Sequence, residues 1–255
     1  MGTLSRRFNR MVQEIQSLIN TKYKLELKTK ESELKAMQSQ INPHFLYNTL
    51  DMIRWSARLE KAPNTGKSIE DLSRIFRHTL SKGNTWVGVE EELVSAKSYL
   101  ELQKRRMGAK LHYSLFVETG LEHVPVMKMI VQPLIENSIE HGMGAKKQTI
   151  HIKVRAYQLE EALIIDVIDN GVGIEAEDIK ELKSSAPESR QGFALQNIEK
   201  RIANTYGERF GLNIVPAAEG THIQIRFPIL KEKNNESHLN KEEGETNGNE
   251  NIDRG

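Results

Sequence analysis

Cysteine is absent from the 255 residues of this chain, and long apolar runs are missing as well. Without cysteine the protein can form neither disulfides nor thiolate metal sites, which is typical of proteins kept in the reducing cytosol. No run approaches the roughly 18 consecutive apolar residues of a membrane-spanning helix, and no signal peptide is visible. These absences favour a cytoplasmic location for the residues of this chain.

An excess of charge of either sign is also missing. Lys and Arg total 36 against 35 Asp and Glu, which leaves a formal net charge of +1. A chain this balanced has no global field that would attract nucleic acid or an anionic membrane. We therefore expect no nucleic-acid partner. The length allows one large domain or two small ones, and we expect two.

Proline and glycine are absent from residues 4–41, so one long helix is possible there. Its apolar residues fall into two coiled-coil-like registers that do not continue one another, Leu4, Phe8, Met11, Ile15 and Leu18, then Leu27, Leu34, Met37 and Ile41. The helix could pack on its own domain or pair with a second copy. We favour a parallel dimer, because so long a stripe needs a partner.

A second helical pattern follows and presents one histidine, His44, beside Pro43. Indexing at about 100° per residue places His44 opposite an apolar sector formed by Leu46, Leu50, Ile53 and Ala57. The simple interpretation is a helix start with Asn42 as N-cap and Pro43 at the first helical position. The functional alternative is an exposed imidazole that serves as a nucleophile or ligand.

Further helices are predicted at residues 69–80 and 89–107. Residues 62–66 read as a turn, Ser68 and Asp71 have the spacing of a capping box, and Gly108 ends the later helix. Two helices joined by a short loop predict an antiparallel hairpin, and two hairpins make a four-helix bundle. One hairpin buries little, so we expect a homodimer to supply the other half of the core.

Beyond residue 110 the apolar period changes from helical to alternating. Strands are predicted at residues 111–117, 149–155, 163–168 and 221–227, with a hairpin step at Glu160 and Glu161. Helical patterns occupy residues 129–141, 177–182 and 193–206. The sequence therefore predicts an α+β fold with an antiparallel-rich sheet covered by helices on one face. The polar residues 231–255 are expected to be disordered.

Two polar motifs stand out in this second half. Residues 132–142 place Glu136, Asn137 and Glu140 on one side of a helix, where an amide oxygen could bind Mg²⁺ or the side chains could simply be solvated. Asp169 follows a strand and precedes Gly171 and Gly173, a pattern that suits a hairpin turn or a dinucleotide-binding loop. A buried carboxylate there is better used to accept a hydrogen bond from the exocyclic amine of adenine.

A third motif is the polar loop at residues 184–197, which leads into a helix. Gly192 near that helix N-terminus could bring backbone N–H groups to phosphate oxygens, and an ordinary helix start explains the pattern equally well.

Residues 40–51, Gln-Ile-Asn-Pro-His-Phe-Leu-Tyr-Asn-Thr-Leu-Asp, resemble the phosphoacceptor box of bacterial sensor histidine kinases of the LytS/YesM type. The resemblance extends over about residues 8–229. The three later motifs resemble, in order, the N, G1 and G2 boxes of the GHKL (Bergerat) ATP-binding fold. Histidine kinases share that fold with gyrase-type topoisomerases, heat-shock chaperones and mismatch-repair ATPases.

The resemblance implies a role for each matching residue. Asn137 would coordinate Mg²⁺ with Glu136 in support, and Asp169 would bind adenine. The remaining expected site residues would shape the pocket, form the phosphate lid and lie beneath the base: Gly171 and Gly173, Gly192, and Gly220 with Thr221.

The sequence departs from the pattern of related kinases at two positions. Phe45 follows the histidine where most two-component kinases have an acidic residue, so an adjacent carboxylate base cannot be carried over. Ala194 stands where related kinases usually have a glycine, and it does not adopt positive φ as readily.

Four parts are expected: a signalling coiled coil at 1–40, phosphotransfer and dimerisation helices at 41–108, a GHKL domain at 109–230 and a tail at 231–255. The implied function is autophosphorylation of His44 from ATP with Mg²⁺, followed by transfer to an aspartate in the receiver domain of a response regulator. The chain would be the cytoplasmic portion of a plasma-membrane sensor, with membrane-spanning parts upstream. A GHKL ATPase and a catalytically weak scaffold are the alternatives.

Overall fold

The computed structural model describes residue 22 and residues 43–81, 85–142, 149–173 and 190–229. The coiled coil expected at 1–40 (residue 22 apart), the helix at 177–182 and the disordered tail at 231–255 lie outside the described residues. Within them the helices are α1 (Pro43–Leu59), α2 (Pro63–Leu80), α3 (Val89–Met107), α4 (Val131–Gly142) and α5 (Arg190–Tyr206). The strands are β1 (Trp86–Gly88), β2 (Leu111–Val117), β3 (Pro125–Met127), β4 (Ile150–Leu159), β5 (Ala162–Asp169), β6 (Gly211–Val215) and β7 (Thr221–Pro228).

Helices α1 and α2 form the expected hairpin around a small core of Leu50, Ala57 and Ile69. The apolar sector predicted for α1 is wrong at one position, because Ile53 is 43% exposed. A two-helix hairpin covers only a narrow stripe of each helix, and Ile53 lies at the edge of that stripe. His44 is exposed on this helix, as predicted.

The turn predicted at residues 62–66 is helical instead. Helix α2 begins at Pro63, because proline has no N–H to lose in a first turn and its fixed φ suits a helix start. The predicted capping box at Ser68 is therefore wrong. Asp71 is buried in the helix interior, where Arg105 Nη1 of α3 donates to its Oδ2 over 2.8 Å.

The second half of the chain is built on a five-stranded sheet with the order β2-β4-β5-β7-β6. Strand β2 runs parallel to β4, and the other neighbours are antiparallel. The predicted hairpin step between β4 and β5 is present, with Glu160 at a φ of 56°. The sequence patterns missed β6 and also the three-residue strands β1 and β3, which pair with each other.

One face of the sheet carries the core. Along β4, Ile150, Ile152, Val154 and Ala156 point inward and are buried together with apolar side chains of α3, α4 and α5. The alternate residues of β4 are polar and face the other way. This arrangement confirms the predicted α+β fold, with a mixed sheet covered by helices on one face and preceded by a helical part.

The face of the sheet opposite the helices also carries a buried carboxylate. Asp166 on β5 is fully buried and lies 2.8 Å from Arg155 Nη2, 3.0 Å from His222 Nε2 and 3.1 Å from Gln224 Nε2. Burial opposes ionisation of this carboxyl, but the hydrogen bonds from His222, Gln224 and Arg155 outweigh burial and lower its pKa.

Candidate nucleotide-binding site

The carboxylate of Asp169 is fixed at the end of β5. It is 4% exposed and accepts three hydrogen bonds: Ser138 Oγ donates to Oδ2 over 2.8 Å, and the backbone N–H groups of Gly171 and Thr221 donate to Oδ1 over 2.8 and 3.2 Å. These donors come from α4, from the loop after β5 and from β7. An ionised carboxylate has about four acceptor positions, so capacity for a further donor remains.

The two alternative interpretations of the motif at Asp169 are wrong. Strand β5 is paired along its length with β4 on one side and with β7 on the other, so the segment directly after it is not its hairpin partner. It also runs antiparallel to both of its neighbours, which excludes a parallel dinucleotide-binding unit. Asn170 instead fastens the loop to β4, since its Oδ1 accepts from the His151 N–H over 2.7 Å and its Nδ2 donates to Thr149 O over 3.3 Å.

A cavity opens beside Asp169. Its lining combines α4, the loop after β5 and the start of β7: Asn137, Ser138, Gly142, Asp169, Val172, Gly173, Thr221 and Ile223. An adjoining cavity shares Val172, Gly173 and Thr221 with it and continues along residues 214–222. The structure thus brings four of the predicted site residues, Asn137, Asp169, Gly173 and Thr221, to one place.

Glycines allow the backbone segments around this cavity to approach closely. A Cβ at Gly171 would lie 2.5 Å from the Cα of Gly142 at the end of α4, so there is no room for a side chain at position 171. Gly173 has a φ of 88°, which favours glycine, and a Cβ there would lie 3.2 Å from Gly220 O. Gly171 therefore lets the loop after β5 approach α4, and it is not among the residues that line the cavity.

Among the described residues that line the cavity, Asn137 has a buried polar atom without a hydrogen-bond partner. Its Nδ2 is buried and makes no hydrogen bond there. A buried side-chain amide left unsatisfied is costly, and such a group in a cavity fits contact with a ligand.

Glu136 lies on the neighbouring position of α4 but is not among the residues lining the cavity. Its Oε1 accepts from Gln132 Nε2 over 2.9 Å. Its charge also acts on Tyr99 of α3, whose pKa is raised first by burial and then by Glu136. The hydrogen bond described for Glu136 is thus one within α4.

Of the loop at residues 184–197 that is expected to form the phosphate lid, residues 184–189 lie outside the described residues. Gly192 falls in the first turn of α5, which begins at Arg190 rather than at residue 193.

His44 lies on the separate hairpin, exposed in the first turn of α1. Asn48 Nδ2 lies 3.3 Å from His44 Nδ1. Which amide atom of Asn48 faces the ring decides which ring nitrogen carries the proton. Sequence reasoning missed this contact, although the spacing of four residues along a helix would have indicated it. Ser138 and Gly142 were missed as well.

Comparison with known families divides the chain in the same way as the structure does, into a helical part and a following domain that contains the cavity. Residues 32–111 match the histidine kinase family, and residues 123–231 match the family of histidine kinase-, DNA gyrase B- and HSP90-like ATPases. The chain belongs to the histidine kinases, with a phosphoacceptor-type segment followed by a GHKL-type domain.

Within this class the chain is homologous to sensor kinases of the YesM and LytS kind. It is 34% identical to sensor histidine kinase YesM of Bacillus subtilis over 91% of this chain, and 32% identical to sensor protein LytS of Enterococcus faecalis over 80%. It spans 39% and 35% of the lengths of these relatives. The catalytic domain of histidine kinase ThkA aligns over 57% of this chain and 95% of its own, at 18% identity and a TM-score of 0.46.

Helices long and apolar enough to cross a bilayer are not found in the described part of the chain.

Proposed function

We propose that this chain is the kinase core of a sensor histidine kinase, in which His44 receives the γ-phosphoryl group of ATP and passes it to an aspartate in the receiver domain of a response regulator. The observation that supports this most is the pairing of two features on one chain. A carboxylate held by three donors lies in a cavity with Asn137, and an exposed histidine lies on a helical hairpin.

Adenine recognition is assigned to Asp169. Its carboxylate is held in place before any nucleotide arrives, and its remaining acceptor capacity suits the exocyclic amine of adenine. Guanine has a carbonyl at the equivalent ring position, so two acceptors would face each other. The site is therefore selective for ATP over GTP. Thr221 would lie beneath the base, and Gly173 would shape the pocket.

Magnesium binding is assigned to Asn137, with Glu136 in support. Within the described residues no cluster of three His, Asp or Glu side chains could hold a metal ion. This fits Mg²⁺, which keeps several waters and binds proteins through one or two side chains plus substrate phosphates. The bound ion would neutralise charge on the phosphates. The ligand of Mg²⁺ would be the amide oxygen of Asn137, and its buried Nδ2, which has no partner within the described residues, could donate to a phosphate oxygen.

The chemical step would form a bond between a His44 imidazole nitrogen and the γ-phosphorus and break the bond to the bridging oxygen, so that ADP leaves. The nucleophile would be the unprotonated Nε2, which requires that Nδ1 carry the proton and donate it to the amide oxygen of Asn48, with the Asn48 side chain turned to present that oxygen at the 3.3 Å contact. Phosphoryl transfer needs little covalent assistance from the protein, and positioning with charge neutralisation supplies most of the rate. Gly192 and the loop before it would cover the phosphates.

A homodimer is proposed because α1 leaves an apolar row uncovered. Phe45, Met52 and Leu59 recur every seven residues and are 70%, 63% and 82% exposed, and Trp55 between them is 58% exposed. A seven-residue repeat is typical of a helix seam, and a second hairpin would complete a four-helix bundle. We assign dimerisation and phosphotransfer to residues 41–108, ATP binding to 109–230 and signal input to residues 1–40.

We also propose that this core works on the cytoplasmic side of a bacterial plasma membrane, attached to sensory segments outside this sequence. The sensor relatives are much longer than the part that this chain matches, which leaves room for such segments.

The proposal is tested by incubating the chain with γ-labelled ATP and Mg²⁺. We expect label that is acid-labile and alkali-stable, absent from His44→Gln and retained in His112→Gln, a matched change at an exposed histidine of β2. His44→Gln should still bind ATP. Rapid release of phosphate without any labelled protein would identify an ATPase instead, and failure to bind adenine nucleotides would identify a scaffold.

A further inference from the structure

A buried carboxylate far along the sequence from the ATP motifs joins the hairpin to the helix that carries Asn137. Glu92, in the first turn of α3, is 2% exposed. Its Oε1 accepts from the backbone N–H groups of Ile130 and Val131 over 2.8 and 3.0 Å, and its Oε2 accepts from that of Met129 over 3.1 Å. These are N–H groups at the start of α4, where an α-helix cannot satisfy its own donors and favours a negative charge.

The same carboxylate contacts the hairpin. His78, in the last turn of α2, is 6% exposed, and its Nε2 lies 2.7 Å from Glu92 Oε2. Its Nδ1 lies 3.6 Å from Glu91 Oε1. One side chain of α3 is therefore held between the end of the phosphotransfer hairpin and the beginning of α4.

The segment that leads into α4 is also held from other sides. Lys128 is buried, and its ammonium contacts the hydroxyl and, at 3.4 Å, the carbonyl oxygen of Ser81 just after α2. Arg201 Nη2 of α5 donates to Lys128 O over 2.9 Å. Met129 has a φ of 60°, an uncommon conformation for a residue other than glycine that persists only where the surroundings fix it.

The start of α4 is close to the ATP site. Asn137 lies six residues after Val131, which corresponds to about 9 Å of helix at about 1.5 Å per residue. A displacement of α2 that moves His78 therefore acts on the start of α4 through Glu92. Helices transmit such shifts over this distance because their backbone hydrogen bonds make them stiff.

We propose that His78 and Glu92 are positioning residues that couple the orientation of the phosphotransfer hairpin to the helix holding Asn137. The inference rests on the proposed kinase function for its role in the reaction, since the coupling would report the state of the hairpin to the ATP site. Neither residue touches the substrate. Glu92 anchors α4, and His78 makes that anchor sensitive to the position of α2.

Three variants of the full chain test the proposal. His78→Leu removes the ring donor, and His78→Gln keeps an N–H donor near the position of Nε2. Asp71→Asn is the matched control, because it weakens another buried contact between α2 and α3, the 2.8 Å pair with Arg105. Each variant is compared with the wild type at a temperature where circular dichroism shows it to be folded.

The first measurement is amide hydrogen exchange in residues 75–80 with and without a non-hydrolysable ATP analogue and Mg²⁺. We expect the analogue to slow exchange there in the wild type, in His78→Gln and in Asp71→Asn, but not in His78→Leu. No response in the wild type, or an unchanged response in His78→Leu, would overturn the coupling.

The second measurement is the rate of labelling at saturating ATP. We expect His78→Leu to lose about tenfold or more, as misplacement of reacting groups does. Its ATP Kd should change by less than about threefold. Asp71→Asn and His78→Gln should label near the wild-type rate. Equal losses in Asp71→Asn and His78→Leu would contradict the proposal. A wild type that shows the exchange response but never labels His44 would refute the kinase function and leave the coupling supported.

Discussion

Replacing Asp169 with asparagine should weaken ATP binding and reduce the preference for adenine while leaving the fold intact. The two backbone donors, Gly171 and Thr221, converge on Oδ1 and hold an oxygen there. The new amide nitrogen must then take the place of Oδ2, where Ser138 Oγ lies at 2.8 Å. The serine hydroxyl can turn to accept, so the protein itself loses little.

The substitution affects nucleotide binding more than it affects the protein's own hydrogen bonds. The exocyclic amine of adenine would face an N–H₂ group in place of an anionic acceptor. A hydrogen bond to a charged group contributes about 1.5–3 kcal/mol, so ATP affinity should fall by about 10- to 150-fold. The same N–H₂ group can donate to the carbonyl of guanine, so GTP should lose less affinity than ATP.

The assay is calorimetric titration of wild type and Asp169→Asn with ATP and with GTP, next to thermal unfolding. Asp166→Asn is the matched control, because it changes a fully buried carboxylate three residues earlier on β5 that faces the opposite side of the sheet. We expect this control to lower stability and to keep the ATP Kd. Wild-type ATP affinity in Asp169→Asn, or an equal loss of affinity in Asp166→Asn, would refute the assigned role.

Three other predictions follow from the same structure. In the folded protein the pKa of Asp166 is below its ordinary value of 3.8. Its contribution to stability is therefore present above pH 3.8 and is lost as the pH falls through the folded pKa. Acid unfolding of Asp166→Asn should depend less steeply on pH than acid unfolding of the wild type. Gly171→Ala should abolish ATP binding in titrations, since its Cβ would lie 2.5 Å from the Cα of Gly142, and Gly66→Ala, where the added Cβ meets nothing within 4 Å, should bind normally. Met52→Glu should weaken dimerisation in sedimentation experiments by placing a charge in the apolar row of α1, whereas Arg54→Glu on the same helix should have a smaller effect; equal dissociation constants for the two variants would contradict the proposed seam.

Sequence motifs were sufficient to predict the positions of some residues of the candidate site. His44 was expected on an exposed helix face, and the structure places it there because the apolar residues of α1 turn Leu50 and Ala57 toward α2. Asp169 was expected to be a buried carboxylate at a strand end, and it is. Alternation identified β4 and β7, and a continuous apolar run identified β5. The five residues of β6 and the three of β1 and β3 are too short to carry a strong pattern, and these strands were missed.

Contacts between distant parts of the chain were not predictable in this way. Ser138 is one position from Asn137, but its bond to Asp169 depends on how α4 lies on the sheet. Glu92 looked like one of several acidic residues at a helix start, and only the packing of α3 against residues 129–131 gives it three backbone donors. The hairpin turn suggested at Asp169 failed for the same reason, because strand pairing places β7 rather than the next segment beside β5.

Phosphorylation of His44 is tested most directly by finding which residue receives the phosphoryl group. The chain is incubated with ATP and Mg²⁺, digested at neutral or alkaline pH so that a phosphohistidine survives, and mapped by mass spectrometry. We expect a single phosphorylated peptide that contains His44 and loses its modification in acid. A modification on another residue, or steady formation of ADP with no modified peptide, would contradict it.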